Sequence, residues 1–197
     1  MRRNTTAGTA GRKAGQMYKL TTRTEDLDAL RAFMAGKKDK REALMTLHIA
    51  PDYIEATDGR GMLRISRGDL ITTDAPAGVY TISATRKIGG GMSEAILEAY
   101  DAEYPNTDRV IPARVNSASQ VAGIIISDDD MVITRAVINL FKHTGNAYAY
   151  GLIAKLAGIA GTWAVDKAGI DKPARMDYTD CAGVAYIAVV MPFKMAD

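Results

Sequence analysis

Cysteine is almost absent from this chain. One residue in 197, Cys181, rules out an internal disulfide and suits a reducing compartment. Long apolar runs are missing too. The longest, from Tyr150 to Ala160, is broken by Lys155, so no membrane span is expected, and the first residues lack the apolar centre of a signal peptide. The expected location is therefore cytoplasmic. Histidine is scarce: His48 sits in a strand-like run and His143 in a polar loop, and neither is surrounded by metal-ligand spacing. There is no nucleophile elbow, and Cys181 has no base near it in sequence. Nothing here argues for an enzyme, and no metal or cofactor is expected. An excess of one charge is also lacking. The 25 Lys and Arg residues nearly balance the 23 Asp and Glu residues, and the resulting +2 neither demands nor excludes nucleic acid.

What is present is enough apolar residue, 47% of the chain, to bury a core in one ordinary domain or two small ones. Residues Met1 to Gln16 carry Arg2, Arg3, Arg12 and Lys13 without an acid, and read as a disordered basic tail, either a solvated end or a phosphate contact. Met17 to Arg23 reads as a strand. Thr24 reads as a helix N-cap, with Glu25 and Asp26 in the first turn and Leu27, Leu30, Phe33 and Met34 on one face. Gly36 closes the helix, and Lys37, Lys38, Lys40 and Arg41 follow, either complementing the helix dipole or forming a phosphate-contacting rim.

Strands are expected at Ala43 to Ala50, Tyr53 to Thr57, Met62 to Ser66 and Val79 to Ala84, with tight turns at Pro51-Asp52 and Asp58-Gly59. Gly89, Gly90 and Gly91 read as a flexible connector, because the Gly-Lys-Ser/Thr of a phosphate loop is absent. Met92 to Glu103 reads as a short helix, and Tyr104-Pro105 and Ile111-Pro112 bracket an irregular stretch. Val121 to Ile126 and Met131 to Ile138 read as apolar runs joined by a hairpin turn at Asp128-Asp129-Asp130. As a cation loop, those acids lack the required glycine and terminal glutamate. A helix from Tyr150 to Ala160 is followed by strands at Thr162 to Asp166, Ala174 to Tyr178 and Val184 to Met191.

The expected class is thus α+β, with a strand–helix–antiparallel-strands unit repeated twice. The expected division is a tail at 1–16, a first lobe with its linker at 17–112, and a second lobe at 113–197. The last stretch, Ala185 to Met195, is a β-branched strand stopped by Pro192 and followed by Phe193 and Met195. Large apolar side chains so near a terminus are either a hydrophobic plug or part of a docking surface.

Three segments together resemble the bacterial DNA polymerase sliding clamp, the β subunit family. Glu55 to Leu63 (EATDGRGML) is similar to that family's ATDGHRLA turn. Tyr104 to Pro112 (YPNTDRVIP) is similar to its FPDYRRVLP linker, and Ala185 to Met195 (AYIAVVMPFKM) to its terminal AAYVVMPMRL. The segments stand in the family's chain order. Arg60 and Gly61 replace the family's His and Arg, and Met195 replaces its terminal Leu.

The resemblance implies a DNA-clamp-like fold and an apolar pocket that binds the short clamp-binding peptides of DNA polymerase and other replication proteins. By match, the pocket would use Thr57, Gly59, Arg60 and Met62 from the turn, and Pro105, Arg109 and Val110 from the linker. Val189, Met191, Pro192, Phe193, Lys194 and Met195 would come from the tail. It further implies a processivity factor that encircles duplex DNA as a homo-oligomer, holding it without sequence preference and weakly through Lys37, Lys38, Lys40, Arg41 and Lys155. The alternative is a clamp mimic or regulator that binds such peptides without loading on DNA. Family chains have three domains; this one has material for two strand–helix–strands units.

Overall fold

The computed structural model describes residues 16–114 and 121–193. The expected basic tail, apart from Gln16, lies outside the described residues, as do Lys194 and Met195. Among the described residues, eleven strands form one sheet in which every pairing is antiparallel. In chain order they are β1 (Met17–Arg23), β2 (Leu47–Ile49), β3 (Tyr53–Thr57), β4 (Gly61–Ser66), β5 (Thr72–Thr73), β6 (Gly78–Gly89), β7 (Met92–Ala99), β8 (Val121–Ile126), β9 (Gly161–Asp166), β10 (Ala174–Thr179) and β11 (Ala185–Val190). Three helices accompany them: α1 (Thr24–Phe33), α2 (Asp130–Thr144) and α3 (Tyr150–Ala154).

The strand order is β5-β1-β7-β6-β2-β3-β4-β11-β10-β9-β8. Outward from the β4–β11 seam, each side repeats a three-strand meander, β4-β3-β2 on one and β11-β10-β9 on the other. The strand that precedes each helix lies beyond it, β1 on one side and β8 on the other. The sides differ in one respect: the β6–β7 hairpin is inserted between β2 and β1, whereas β8 pairs directly with β9. This is the twice-repeated α+β unit the sequence implied.

Several local expectations are overturned. Met131 to Ile138 is helical, inside α2. Asp129 caps it, its carboxylate accepting the backbone N–H groups of Met131 (2.7 Å) and Val132 (3.2 Å). Gly145 closes it at φ 75°. Ile133, Ala136 and Leu140 then fall at helical spacing on the buried face, so one capping bond turns an apparent hairpin into a helix start. His143, expected in a loop, lies in the last turn of α2 and contacts the Val165 carbonyl at 3.0 Å. Met92 to Ala99 is β7 rather than a helix; its Ser93, Glu94 and Ala95 are buried between strands on both sides. The three glycines form the tight turn between β6 and β7, each at positive φ, which only glycine adopts freely.

Smaller corrections concern α1 and β2. Thr24 is the first helical residue rather than the cap, and its hydroxyl bonds Ser93 instead. The helix ends at Phe33, before Gly36. The expected strand at Ala43 to Ala50 begins as a 3-10 turn (Glu42–Met45), leaving only Leu47–Ile49 in the sheet. The expected helix from Tyr150 is regular only to Ala154.

One contiguous core joins both sides. It runs from Leu20, Leu27, Leu30 and Phe33 through Tyr80 to Leu140, Trp163 and Tyr186. Trp163 is fully buried, with its ring 5.3 Å from Tyr178 and 6.1 Å from Tyr186. Each such aromatic contact adds about 0.5–1.5 kcal/mol to the burial itself. Beside this cluster, Arg23 joins α1 to the β10–β11 turn. Its guanidinium donates to Asp26 (3.0 Å) and Asp180 (2.6 Å) and contacts the Tyr186 hydroxyl.

Candidate functional site: an apolar cavity where turn, linker and terminal strand meet

Three chain segments far apart in sequence are brought to one place. The first is the turn between β3 and β4. Asp58 accepts the backbone N–H groups of Arg60 (2.8 Å) and Gly61 (2.9 Å), and Thr57 donates its hydroxyl to the Gly61 carbonyl (2.8 Å). Gly59 takes φ 82° to close the turn. Burial works against the Asp58 charge, but the Lys155 ammonium and these N–H groups hold its carboxyl below the ordinary carboxylate value. Lys155 Nζ lies 2.5 Å from Asp58 Oδ2 and 5.2 Å from the Phe33 ring centre.

The second segment is the linker after β7, bolted to the sheet by a buried carboxylate. Glu55 on β3 is 1% exposed. It accepts the Thr107 hydroxyl (2.8 Å) and the Arg64 guanidinium (2.9 Å), and His48 lies against it at 2.8 Å. Arg64 in turn donates to Thr107 (3.1 Å) and Asp108 (2.8 Å) and stacks 3.8 Å over the Tyr53 ring. The linker has little regular structure of its own, so these charge-assisted bonds set its position.

The third segment is the end of β11. Val189 and Val190 pair with Met62 and Gly61, and the Met191 N–H then bonds the Arg60 carbonyl at 2.9 Å. Farther on, the Phe193 N–H bonds the Ala147 carbonyl at 2.7 Å. These bonds carry the tail across the turn rather than away from the sheet.

Between the three lies an open apolar cavity of about 420 Å³. Of the residues expected there, Thr57, Gly59 and Met62 line it from the turn, Pro105 and Val110 from the linker, and Val189 and Met191 from the terminal strand. A second hollow, of about 560 Å³, adjoins it across Met191. Arg60, Pro192 and Phe193 line that one, opposite Leu152 and Lys155. Arg109 lines neither and is exposed. Met191 is 39% exposed and Phe193 is 63% exposed, so an adaptable thioether and a rigid ring stand open at the junction.

Gly61 is also explained. A side chain begun there would meet Phe33 at 3.0 Å, Leu152 at 3.3 Å and the Val189 carbonyl at 3.3 Å, so any larger residue would have to push these neighbours aside.

Sequence reasoning missed several walls. Arg41, Ala43 and Leu44 line the first cavity from the 3-10 turn, as do Asn106 and Thr107 from the linker. Arg41 was expected among phosphate-contacting cations. It instead donates to Asp39 (2.7 Å) and to the Asp58 carbonyl (3.3 Å), and this pairing lowers the Asp39 carboxyl to about 2. Lys155 is likewise paired, with Asp58, at the rim of the second hollow. Lys37, Lys38 and Lys40 remain exposed after α1. Arg135 and Lys142, on a helix the sequence reading took for a strand, are exposed too.

Among the described residues no cluster of His, Cys, Asp or Glu is placed to hold a metal, and no helix is long and apolar enough to cross a membrane.

Comparison with known proteins gives one kind of match. No family model matches, and no curated protein matches by sequence. Solved structures do. A β sliding clamp from Caulobacter crescentus superposes with a TM-score of 0.52 at 14% identity, over 96% of this chain and 69% of that one. The DNA polymerase sliding clamp of Bacillus subtilis gives 0.52 at 11% identity, over 94% and 66%. That of Pseudomonas aeruginosa gives 0.50 at 14%, over 95% and 69%. At such identities the likeness is one of architecture, and it agrees with the three-segment resemblance in the sequence: the chain carries the fold of the bacterial DNA polymerase sliding clamps, over about two thirds of their length.

Proposed function

We propose that this chain is a non-catalytic, clamp-type binding module that tethers DNA polymerase and other replication proteins through the cavity beside Met191. The supporting observation is the convergence itself. The turn, the linker and the terminal strand, each similar in sequence to its counterpart in the clamp family, line one open apolar cavity. Such a cavity takes a short extended peptide anchored by a few apolar side chains. A labelled peptide with a glutamine and spaced Leu and Phe anchors should bind with a Kd on the order of micromolar, the ordinary range for such a site. Absence of saturable binding at millimolar peptide would remove the reading.

The clamp reading extends to an assembly. β8 ends the sheet with one side unpaired among the described residues, and Ile125 on it is 63% exposed. At the other end β5 covers only Leu20 and Thr21 of β1. Copies joined edge to edge would close both ends. Light scattering should then show a particle heavier than the monomer at high concentration, and Ile125→Lys should shift it back. A strict monomer, with and without DNA, would favour the mimic.

DNA contact follows from the same reading with an amended set of cations. Replacing Lys37, Lys38 and Lys40 with alanine should lower duplex affinity at low salt and flatten its salt dependence, because each phosphate neutralised releases counterions. Lys155→Ala should leave duplex affinity unchanged, since Asp58 already holds that ammonium. An equal loss from Lys155→Ala would place DNA across the second hollow instead. The mimic reading rests on this depletion: two of the five expected phosphate contacts, Arg41 and Lys155, are already paired with acids.

A further inference from the structure

The inserted β6–β7 hairpin carries backbone that the rest of the sheet does not use. β6 runs from Gly78 to Gly89, yet β2 meets only Gly78, Val79 and Tyr80. From Thr81 to Ile88 the strand is held by β7 alone, and no described residue reaches its other edge through a backbone hydrogen bond. In an antiparallel pair, alternate residues turn their N–H and C=O groups toward that open side. An edge of this kind is a template for another strand.

The edge faces a groove of about 420 Å³. Its opposite wall is the end of α1 and the turn beyond, with Arg31, Met34, Lys37 and Met45 across from Ile82. The lining contains cations and no acid. Lys37, Lys38 and Lys87 make no ion pair among the described residues, and Arg31 has only a 3.7 Å contact with the half-exposed Asp28. Register shifts at Ser83 and Ile88 leave regular pairing over Tyr80–Ile82 and over Ala84–Lys87, the latter with an irregularity at each end. Bulges on either side discourage open-ended sheet growth while leaving room for one short added strand.

We infer that this groove is a second peptide site, separate from the cavity beside Met191, and that it takes by strand addition an extended partner segment in which acidic residues alternate with small apolar ones. Charge decides against two other occupants. A second copy would set Lys37 and Lys87 against their own kind, and the chain's first residues, with Arg2, Arg3, Arg12 and Lys13, are basic as well. Phosphates of a duplex would answer the cations but leave the strand edge and the two methionines without partners.

The probe is a labelled hexapeptide, Glu-Val-Glu-Val-Glu-Val, titrated against the full chain at low salt. Saturable binding is expected, with a Kd on the order of tens of micromolar. Arg31→Glu combined with Lys37→Glu should weaken it roughly tenfold or more. N-methylation of one alternate set of peptide nitrogens should abolish binding and methylation of the other set should not, because an added strand pairs through one edge only. Removing residues 191–197 should leave this binding intact, so failure of the cavity beside Met191 and failure of this site are told apart. The proposal is overturned by no binding, or by equal effects of the two methylated sets, which would mean charge attraction alone and point to duplex phosphate. It is overturned too if Thr85→Pro lowers the mass of a self-associated particle, which would give the edge to a second copy.

Discussion

A chain ending at Val190 should keep its fold and lose binding of the glutamine-containing peptide at the cavity beside Met191. Among the described residues, the removed segment contributes two backbone hydrogen bonds, from Met191 to Arg60 and from Phe193 to Ala147. β11 keeps its full pairing with β4 and β10. Phe193 is largely exposed and Met191 partly so, neither belongs to the buried core, and the stability cost should be about 1 kcal/mol. The binding cost is different in kind, because Met191 is the wall shared by both hollows and Pro192 and Phe193 line the second. Moving the Kd from micromolar to beyond millimolar is a loss of about 4 kcal/mol. Fluorescence anisotropy of the labelled peptide, with a thermal melt as the check on folding, measures both. A folded truncated chain that binds as tightly as the full one would remove the pocket assignment. Val110→Asp is an independent probe: Val110 is 46% exposed at the linker wall, so a carboxylate there should weaken an apolar anchor about tenfold without unfolding the chain.

The largest stability effect is expected from Arg23→Ala. Among the described residues, Arg23 is the cation that pairs both with Asp26, which is fully buried, and with Asp180. Without it, Asp26 keeps only the Tyr186 hydroxyl at 3.0 Å and a long contact from Thr22 at 3.5 Å. Stranding a buried charge in this way costs about 3–5 kcal/mol, a large part of the stability of an ordinary domain.

The loss should depend on pH with a definite sign. Burial pushes the Asp26 carboxyl up to about 6, more than Arg23 pulls it down. The folded chain therefore binds this proton more tightly than the unfolded chain does. The contribution of Asp26 is full below its ordinary carboxylate value and shrinks as pH rises through about 6. Arg23→Ala should accordingly cost less at about pH 5, where the stranded acid takes up a proton, than at about pH 8, where it cannot.

Asp180 works in the opposite direction. Burial opposes its charge, but the Val184 N–H and Arg23 hold its carboxyl below the ordinary value, so its contribution is present above that value and is lost in acid. Asp26→Asn should flatten the fall in stability between about pH 5 and pH 8 and leave the acid limb alone. Urea unfolding at the two pH values measures this; equal penalties for Arg23→Ala at both would show that Asp26 does not change its charge between them, and would overturn the raised carboxyl.

The sequence by itself determined the meander strands and the three segments of the cavity. β3, β4, β10 and β11 are short and bounded by Pro, Gly or Asp turns, and β11 is rich in β-branched residues, signals that act within a few residues of one another. Thr57, Met62, Pro105, Val189 and Met191 were legible because the three segments that hold them resemble those of the clamp family. Three things were decided by tertiary structure. Met92 to Ala99 has no clear strand pattern of its own; β1 and β6 on either side bury it as one. Lys155 reads as a free cation because its partner, the Asp58 carboxylate 97 positions away, meets it only once the chain has folded, as does the Asp58 carbonyl that Arg41 reaches beside its local partner Asp39. The position of the linker was decided by Glu55, a charge inside a strand that looked like an ordinary turn flank. Only burial gives that carboxylate reason to collect Arg64, Thr107 and His48, because an ion removed from water must find its hydrogen bonds within the protein.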